Sequence, residues 1–375
     1  MFSLLRSELF GTDERIENLS REEMIALYKL SKKHDMAHIV SNALSKRLTL
    51  DGDISAAFSK QQMLAVYRYT QLDYEQNEIC RVLEEAEIPH VPLKGAIMRQ
   101  YYKEPWMRTS CDIDVLIHEE DLDKAVAAIS DQLGYRAEEN RHYHDVSLFS
   151  ENGVHLELHF SIKENMENID GLLSRVWEYC RVAYGFKYRF EQTKEYFLFH
   201  HIAHMSYHFS RGGCGIKPLA DLYLLMEKGG YDEDVVIAYC DECGLTGFYE
   251  SVKHLARVWF GNEAQTEISM NMEKFLLEGG VYGAVENLIT LSSGENGGKI
   301  KYALSLVWAP YARLKKKYPV LEKHKWLTPF MQVRRWFSIL LGGRIKKSFK
   351  RLKRTVKIDD DKAREIKNLF DEIGL

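Results

Sequence analysis

A chain of 375 residues, 45% of them hydrophobic and 28% charged, is long enough for two or three domains around a sizeable core. No apolar run approaches the length of a membrane span, the opening residues turn charged too early for a signal peptide, and six cysteines show no framework spacing. The expectation is a soluble cytoplasmic protein. Its net charge of −4 hides an asymmetry: between Lys299 and Lys357 stand 18 Lys/Arg and one acid, Glu322, a net +17 that leaves −21 on the remainder.

In chain order, residues 1–85 read as helices, with apolar residues at helical period in Arg21–Lys32 and Gln61–Glu85. Residues 86–165 change character. Ile88 to Leu93 reads as a short strand whose prolines suit an edge or a strand start. It turns at Lys94-Gly95 into a helical stretch, Ala96 to Tyr102. There Gly95 frees the backbone for a tight turn, and the N–H groups opening the helix can face a phosphate. Cys111, Ile113, Val115 and Ile117 then alternate with Asp112 and Asp114, a half-buried strand with acids on one face. A helix over Glu119–Leu133 stops at Gly134. Val146–Phe149 and Val154–Phe160 form a hairpin around Glu151-Asn152-Gly153, and His155, Glu157 and His159 share one face of its second strand. From about residue 190 the pattern is helical again, with a glycine-rich break at 294–298 and a charged tail helix, Asp359 to Ile373. The expected division is a helical segment over 1–85, an α/β core over 86–165 and a helical domain with a basic tail over 166–375.

The chemistry sits in the middle segment. Strand side chains alternate, so Asp112 and Asp114 lie on one face with Cα atoms roughly 6.5–7 Å apart. Carboxylates so close repel one another and take up protons unless a cation sits between them. A hard divalent ion such as Mg²⁺ is the natural partner, and a third acid on a neighbouring strand, Glu157, would complete a clamp suited to displacement at phosphorus. Taken singly, Asp-x-Asp and Lys-Gly are common; the order strand, glycine turn, helix, Asp-x-Asp strand, helix, hairpin, third acid is much more specific.

Leu93-Lys94-Gly95, Arg108 ahead of Asp112-Ile113-Asp114, Gly134-Tyr135 after the next helix, and Glu157-Leu158-His159 together resemble the nucleotidyltransferase superfamily that includes DNA polymerase beta. They look most like a bacterial group of uncharacterised nucleotidyltransferases, with the resemblance strongest over roughly 85–165. It implies an α+β fold: a small mixed-sheet core, helices before it and a helical domain after it. It also implies Mg²⁺ or Mn²⁺ on Asp112 and Asp114, with Glu157 completing the site or serving as base. Lys94, the amides around Gly95, and Arg108 would hold the phosphates of a nucleoside triphosphate. The reaction would move a nucleoside monophosphate to an acceptor hydroxyl and release pyrophosphate. Many superfamily members carry Gly-Ser or Gly-Gly at the turn; here Ala96 follows Gly95, and Lys94 would supply the phosphate contact instead.

Other features have weaker readings. His200, His204 and His208 recur every four residues in the predicted helix Glu195–Phe209, a workable zinc spacing without the further ligands zinc needs. The better reading makes His159, His201, His204, His208 and Asp221 cleft residues opposite the carboxylates. Cys240 and Cys243 have no second pair at zinc-ribbon spacing and read as ordinary cysteines. His142, Tyr143 and His144 fit either a lid or plain surface. Arg344 to Lys357, with eight basic residues and apolar positions at helical spacing, is a handle for a polyanion or a solvated face. The acceptor stays open among small molecules, proteins and RNA ends. Two alternatives stay open as well: a non-catalytic nucleotide- or partner-binding protein on this fold, and an RNA-acting transferase that uses the basic block.

Overall fold

The computed structural model describes residues 1–13, 19–46, 52–138, 141–281, 283, 287–291, 299–341 and 360–375. The basic stretch Arg344 to Lys357 and the break at 294–298 lie outside them.

Four helices come first: α1 (Phe2–Phe10), α2 (Arg21–Lys33), α3 (Ala37–Ser45) and α4 (Gly52–Glu85). A capping box fixes the start of α2, where the Ser20 hydroxyl accepts from the Glu23 amide and the Glu23 carboxylate accepts from the Ser20 amide. The α/β segment follows as β1 (His90–Pro92), α5 (Gly95–Met98), β2 (Asp112–Ile117), α6 (Leu122–Leu133), β3 (Arg136–Ala137), β4 (Asp145–Phe149) and β5 (His155–His159). Gly134 ends α6 in the left-handed conformation, φ +71°, which a glycine adopts without a Cβ penalty. After α7 (Glu167–Leu173) a small hairpin, β6 (Cys180–Val182) and β7 (Phe190–Gln192), leads into α8 (Lys194–Phe209), α9 (Lys217–Lys228), α10 (Glu233–Glu242), α11 (Thr246–Phe260) and α12 (Glu267–Gly279). The charged tail helix spans Asp360–Ile373. Among the described residues no helix is long and apolar enough to cross a membrane.

The main sheet is mixed, in the order β1-β2-β5-β4-β3. Only β2 and β5 run parallel; the other neighbours are antiparallel. Pairing puts Asp114 opposite Glu157 and Asp112 opposite His155. Period-two alternation then sorts the sheet into two faces. Ile113, Val115, Leu148, Leu156 and Leu158 turn to one side, where they are buried with Leu72, Ile79 and Leu83 of α4 and Ala125 and Ile129 of α6. The other face carries Asp112, Asp114, His155, Glu157, His159, Asp145 and Ser147.

That polar face ends in an apolar one. Leu116 and Val91 belong to the larger core, which joins α1 and α3 with α8, α9, α11 and α12. Helices from both ends of the sequence therefore wall the polar half of the sheet. Strand β1 is shorter than its sequence pattern and lies at the sheet edge, as its prolines require; an isolated bridge from His90 to Arg189 meets that edge, and all three residues of the strand are buried. The helical stretch after it is one α turn followed by a 3₁₀ turn over Arg99–Tyr101.

Leu156 is fully buried in the strand that carries Glu157. Leu156→Ala is expected to cost about 2–5 kcal/mol, read as a lower urea midpoint at unchanged slope.

Candidate active site

Two loops and two strands build the site. Lys94 sits at the turn between β1 and α5 with φ +40° and ψ −101°, sparsely populated backbone for a residue with a Cβ. The positive φ thus falls on Lys94 and not on Gly95. Glycine at 95 answers a different need, because a Cβ there would meet the Ser110 side chain at 3.4 Å. The amides of Ala96, Ile97 and Met98 donate to the carbonyls of Leu93 and Lys94, so these three are committed within the turn.

The acids do not titrate alike. Burial, with Asp114 and Glu157 close by, pushes Asp112 up to about 6. Burial acts on Asp114 in the same direction, but Lys94 and a hydrogen bond from His159 overcome it and hold that carboxyl well below the usual range. Glu157 is lowered mainly by its own bond with His159. His159 links the two: its Nε2–H donates to Asp114 Oδ1 at 2.9 Å and lies 3.4 Å from Glu157 Oε2. Burial alone would lower this imidazole, yet the two carboxylates raise it to about 9. Lys94 is raised as well, against burial, by Asp114, Glu164, Asp112 and Glu157, although its ammonium stands within ion-pairing distance of none of them.

Ligand atoms gather in two overlapping groups. Asp112, His155 and Glu157 form one; Asp114, Glu157 and His159 form the other; within each group the atoms lie within 4.8 Å of one another. His155 is braced by the Ser147 hydroxyl at 3.0 Å.

The remaining candidates separate. His204 reaches the cluster's edge: its Nδ1–H donates to Glu164 Oε1 at 2.6 Å, and its Nε2 lies 3.0 Å from Nε2 of His208. Burial and the nearby Lys94 push His204 far down, and burial takes His208 to about 4, so both rings are neutral at pH 7. His201 points elsewhere and donates to the Pro218 carbonyl at 2.9 Å. His200 is buried against Gln192. Cys240 and Cys243 are free, buried thiols. His144 pairs with buried Asp145 at 3.0 Å and its ring stacks 5.6 Å from His159, while Tyr143 is exposed.

Arg108 is turned inward. Its Nε lies 2.8 Å from Oδ2 of fully buried Asp221, whose Oδ1 also accepts from the Tyr102 hydroxyl at 2.6 Å. A buried carboxylate needs such partners, and they fix the loop that enters β2. The same loop is clamped at Thr109, which donates to Asp35, itself paired with Lys217, and at Ser110, which accepts from Arg99. Four of these residues, Glu164, Asp35, Lys217 and Ser110, carry no motif in the sequence. Glu164, Asp35 and Lys217 act through contacts across long stretches of chain, and Ser110 through Arg99 eleven residues before it.

The sheet thus presents acids on one face beside a lysine-bearing turn. A sequence model of the family described as "Uncharacterised nucleotidyltransferase" matches residues 20–261, and the chain belongs to that family. No curated protein matches the chain. Among solved structures it is similar to "Antibiotic-Resistance Factor ANT(2'')-Ia", described as showing "Substrate-Regulated Conformation Dynamics". The identity is 16%, the TM-score 0.34, and the match covers 50% of this chain and 97% of that one. A likeness at that level says nothing about what this chain acts on.

Asp112 is raised to about 6 from an unfolded value of 3.8, so its charge opposes folding above pH 6 and the effect vanishes below about pH 4. Asp112→Asn is therefore expected to stabilise the metal-free protein at pH 7.5, on the order of 1 kcal/mol because the side chain is partly exposed. The gain should disappear at pH 4, with calorimetric melting in EDTA as the measurement.

Proposed function

We propose that the protein transfers a nucleoside monophosphate from a nucleoside triphosphate to an acceptor hydroxyl, with Asp112, Asp114 and Glu157 as its acidic centre. The observation that carries this reading is the convergence of the three acids and Lys94. Asp114 faces Glu157 across the parallel pair, and the acids lie close enough to displace one another's proton equilibria. The donor set fits a divalent cation: carboxylate oxygens predominate in both groups, and Asp112 lacks a full counter-charge of its own. Asp112 and Asp114 would hold Mg²⁺ or Mn²⁺, with Glu157 as the shared third ligand. When bound, the ion would offset carboxylate repulsion and compensate charge on the triphosphate.

The chain's own groups do the rest. Lys94, held charged by four acids and paired directly with none, is free to take a phosphate oxygen. Glu157 has 28% of its side chain exposed against 12% for Asp114, so it is the more open of the facing pair to an acceptor hydroxyl and the one we assign to take its proton. His159 orients Asp114 and Glu157 through its Nε2–H and acts as a positioning residue. Gly95 lets the turn approach Ser110, and Arg108, neutralised by Asp221, holds the entry to β2 rather than a phosphate. The neutral pair His204–His208, anchored on Glu164, would line the cleft.

Titration calorimetry with each of the four nucleoside triphosphates, with and without Mg²⁺, tests this. One or more should bind in a Mg²⁺-dependent manner, and Asp114→Asn should weaken that binding or turnover by about 100-fold or more. Lys94→Met should raise the dissociation constant about 10-fold, the size of one lost charge-assisted hydrogen bond. Wild-type behaviour in both variants would overturn the assignment.

A further inference from the structure

Beside α5 lies a cavity of about 610 Å³ that none of Asp112, Asp114 and Glu157 lines. Its walls come from the Pro92 end of β1, from α5 and the 3₁₀ turn after it, from β7, and from the adjoining ends of α8 and α9. Three cations stand around it: Arg189, Lys194 and Lys228. Among the described residues none of the three is in an ion pair with a carboxylate. Lys194 donates to the Gly230 carbonyl at 3.3 Å and Lys228 to the Tyr101 carbonyl at 3.0 Å. Both lysines are exposed at the rim of the cavity, and the Arg189 guanidinium lies 4.9 Å from the centre of the Phe186 ring, so these charges meet solvent, carbonyls and an aromatic face rather than a carboxylate. One acid, Glu191, also lines the space, which leaves it two positive charges in excess. Tyr101 and Phe190 supply aromatic surface between the cations.

A cavity of this size is within the range that holds a small-molecule ligand, and its surfaces are of two kinds. Cations without a carboxylate partner recognise a phosphate group, because the anion supplies the opposite charge that carbonyls cannot. Aromatic faces recognise a flat ring. A single carboxylate suits a hydroxyl donor between the two. We infer that this cavity is a second binding site, separate from the acidic centre, for a small phosphorylated molecule bearing a planar ring, of the nucleoside monophosphate class. It does not depend on the proposed transfer reaction, since it uses neither the acids nor a divalent ion.

The test is titration calorimetry on the full chain in EDTA, which removes metal-dependent binding at the acids, with AMP, pyrophosphate and adenosine as probes. AMP should bind saturably, pyrophosphate more weakly and adenosine not at all. The double variant Lys194→Ala/Lys228→Ala should raise the AMP dissociation constant 10-fold or more, whereas Lys94→Met should change it less than 2-fold. Lys194→Arg/Lys228→Arg should restore binding, which a merely unfolded protein could not do; if the alanine pair melts early, Arg189→Gln gives the same reading. Absence of binding by both AMP and pyrophosphate overturns the inference. So does AMP binding that is lost in Lys94→Met and indifferent to the two lysines, which would assign the nucleotide to the acidic centre alone.

Discussion

Mutual repulsion among Asp112, Asp114 and Glu157 is the constraint around which the middle of this protein is organised. A folded chain does not gather three carboxylates on one sheet face unless something else holds the sheet together. Here the apolar reverse face, packed on α4 and α6, supplies that hold, and the acids are carried along by the alternation of the strands. Positive charge then arrives from two directions. His159 reaches across from β5 to Asp114, and Lys94 comes in from a turn whose backbone adopts a sparsely populated conformation. Neither cation fully serves Asp112, which is left with a raised pKa. The imbalance marks the position where an external cation would gain most.

The second tier of the site works by burial. Asp221 is fully buried and holds Arg108 and Tyr102 together, so the loop entering β2 is tied to α9. Asp35, Thr109 and Lys217 repeat the device one residue further on, tying the same loop to the N-terminal helices. Buried charges are in this way used to fix the geometry of the strand that carries the acids.

How much of this was legible in the sequence differs by residue. Period-two alternation around Asp112, Asp114 and Glu157 marked two half-buried strands and placed all three acids, because the pattern is local and the sheet has one apolar face. The helices around these strands were legible from periodicity too, whereas the mixed sheet was what the family resemblance implied. The turn was legible as a turn, but its conformation was not: sequence pointed to Gly95 as the special residue, whereas the positive φ belongs to Lys94 and Gly95 makes room for Ser110. The resemblance implied a phosphate contact for Arg108, and its engagement with Asp221 could not be seen from residues 113 apart in the chain. The histidine helix was correctly periodic, yet neighbouring rings point to different partners, His201 to a carbonyl and His204 to Glu164. Glu164 itself sits in a loop that carries no pattern at all.

The parallel pairing of β2 with β5 has a kinetic consequence. Antiparallel neighbours such as β4 and β5 can zip from a tight turn, whereas Asp114 meets Glu157 only after α6, β3 and β4 have been laid down between them. The pairing of Asp114 with Glu157 therefore belongs to a non-local closure. Until that closure, the two acids remain in separate, well-hydrated stretches of chain and interact little. The share of the repulsion that Glu157 contributes is thereby deferred to the step that brings β5 beside β2, whereas the repulsion between Asp112 and Asp114 is local to β2.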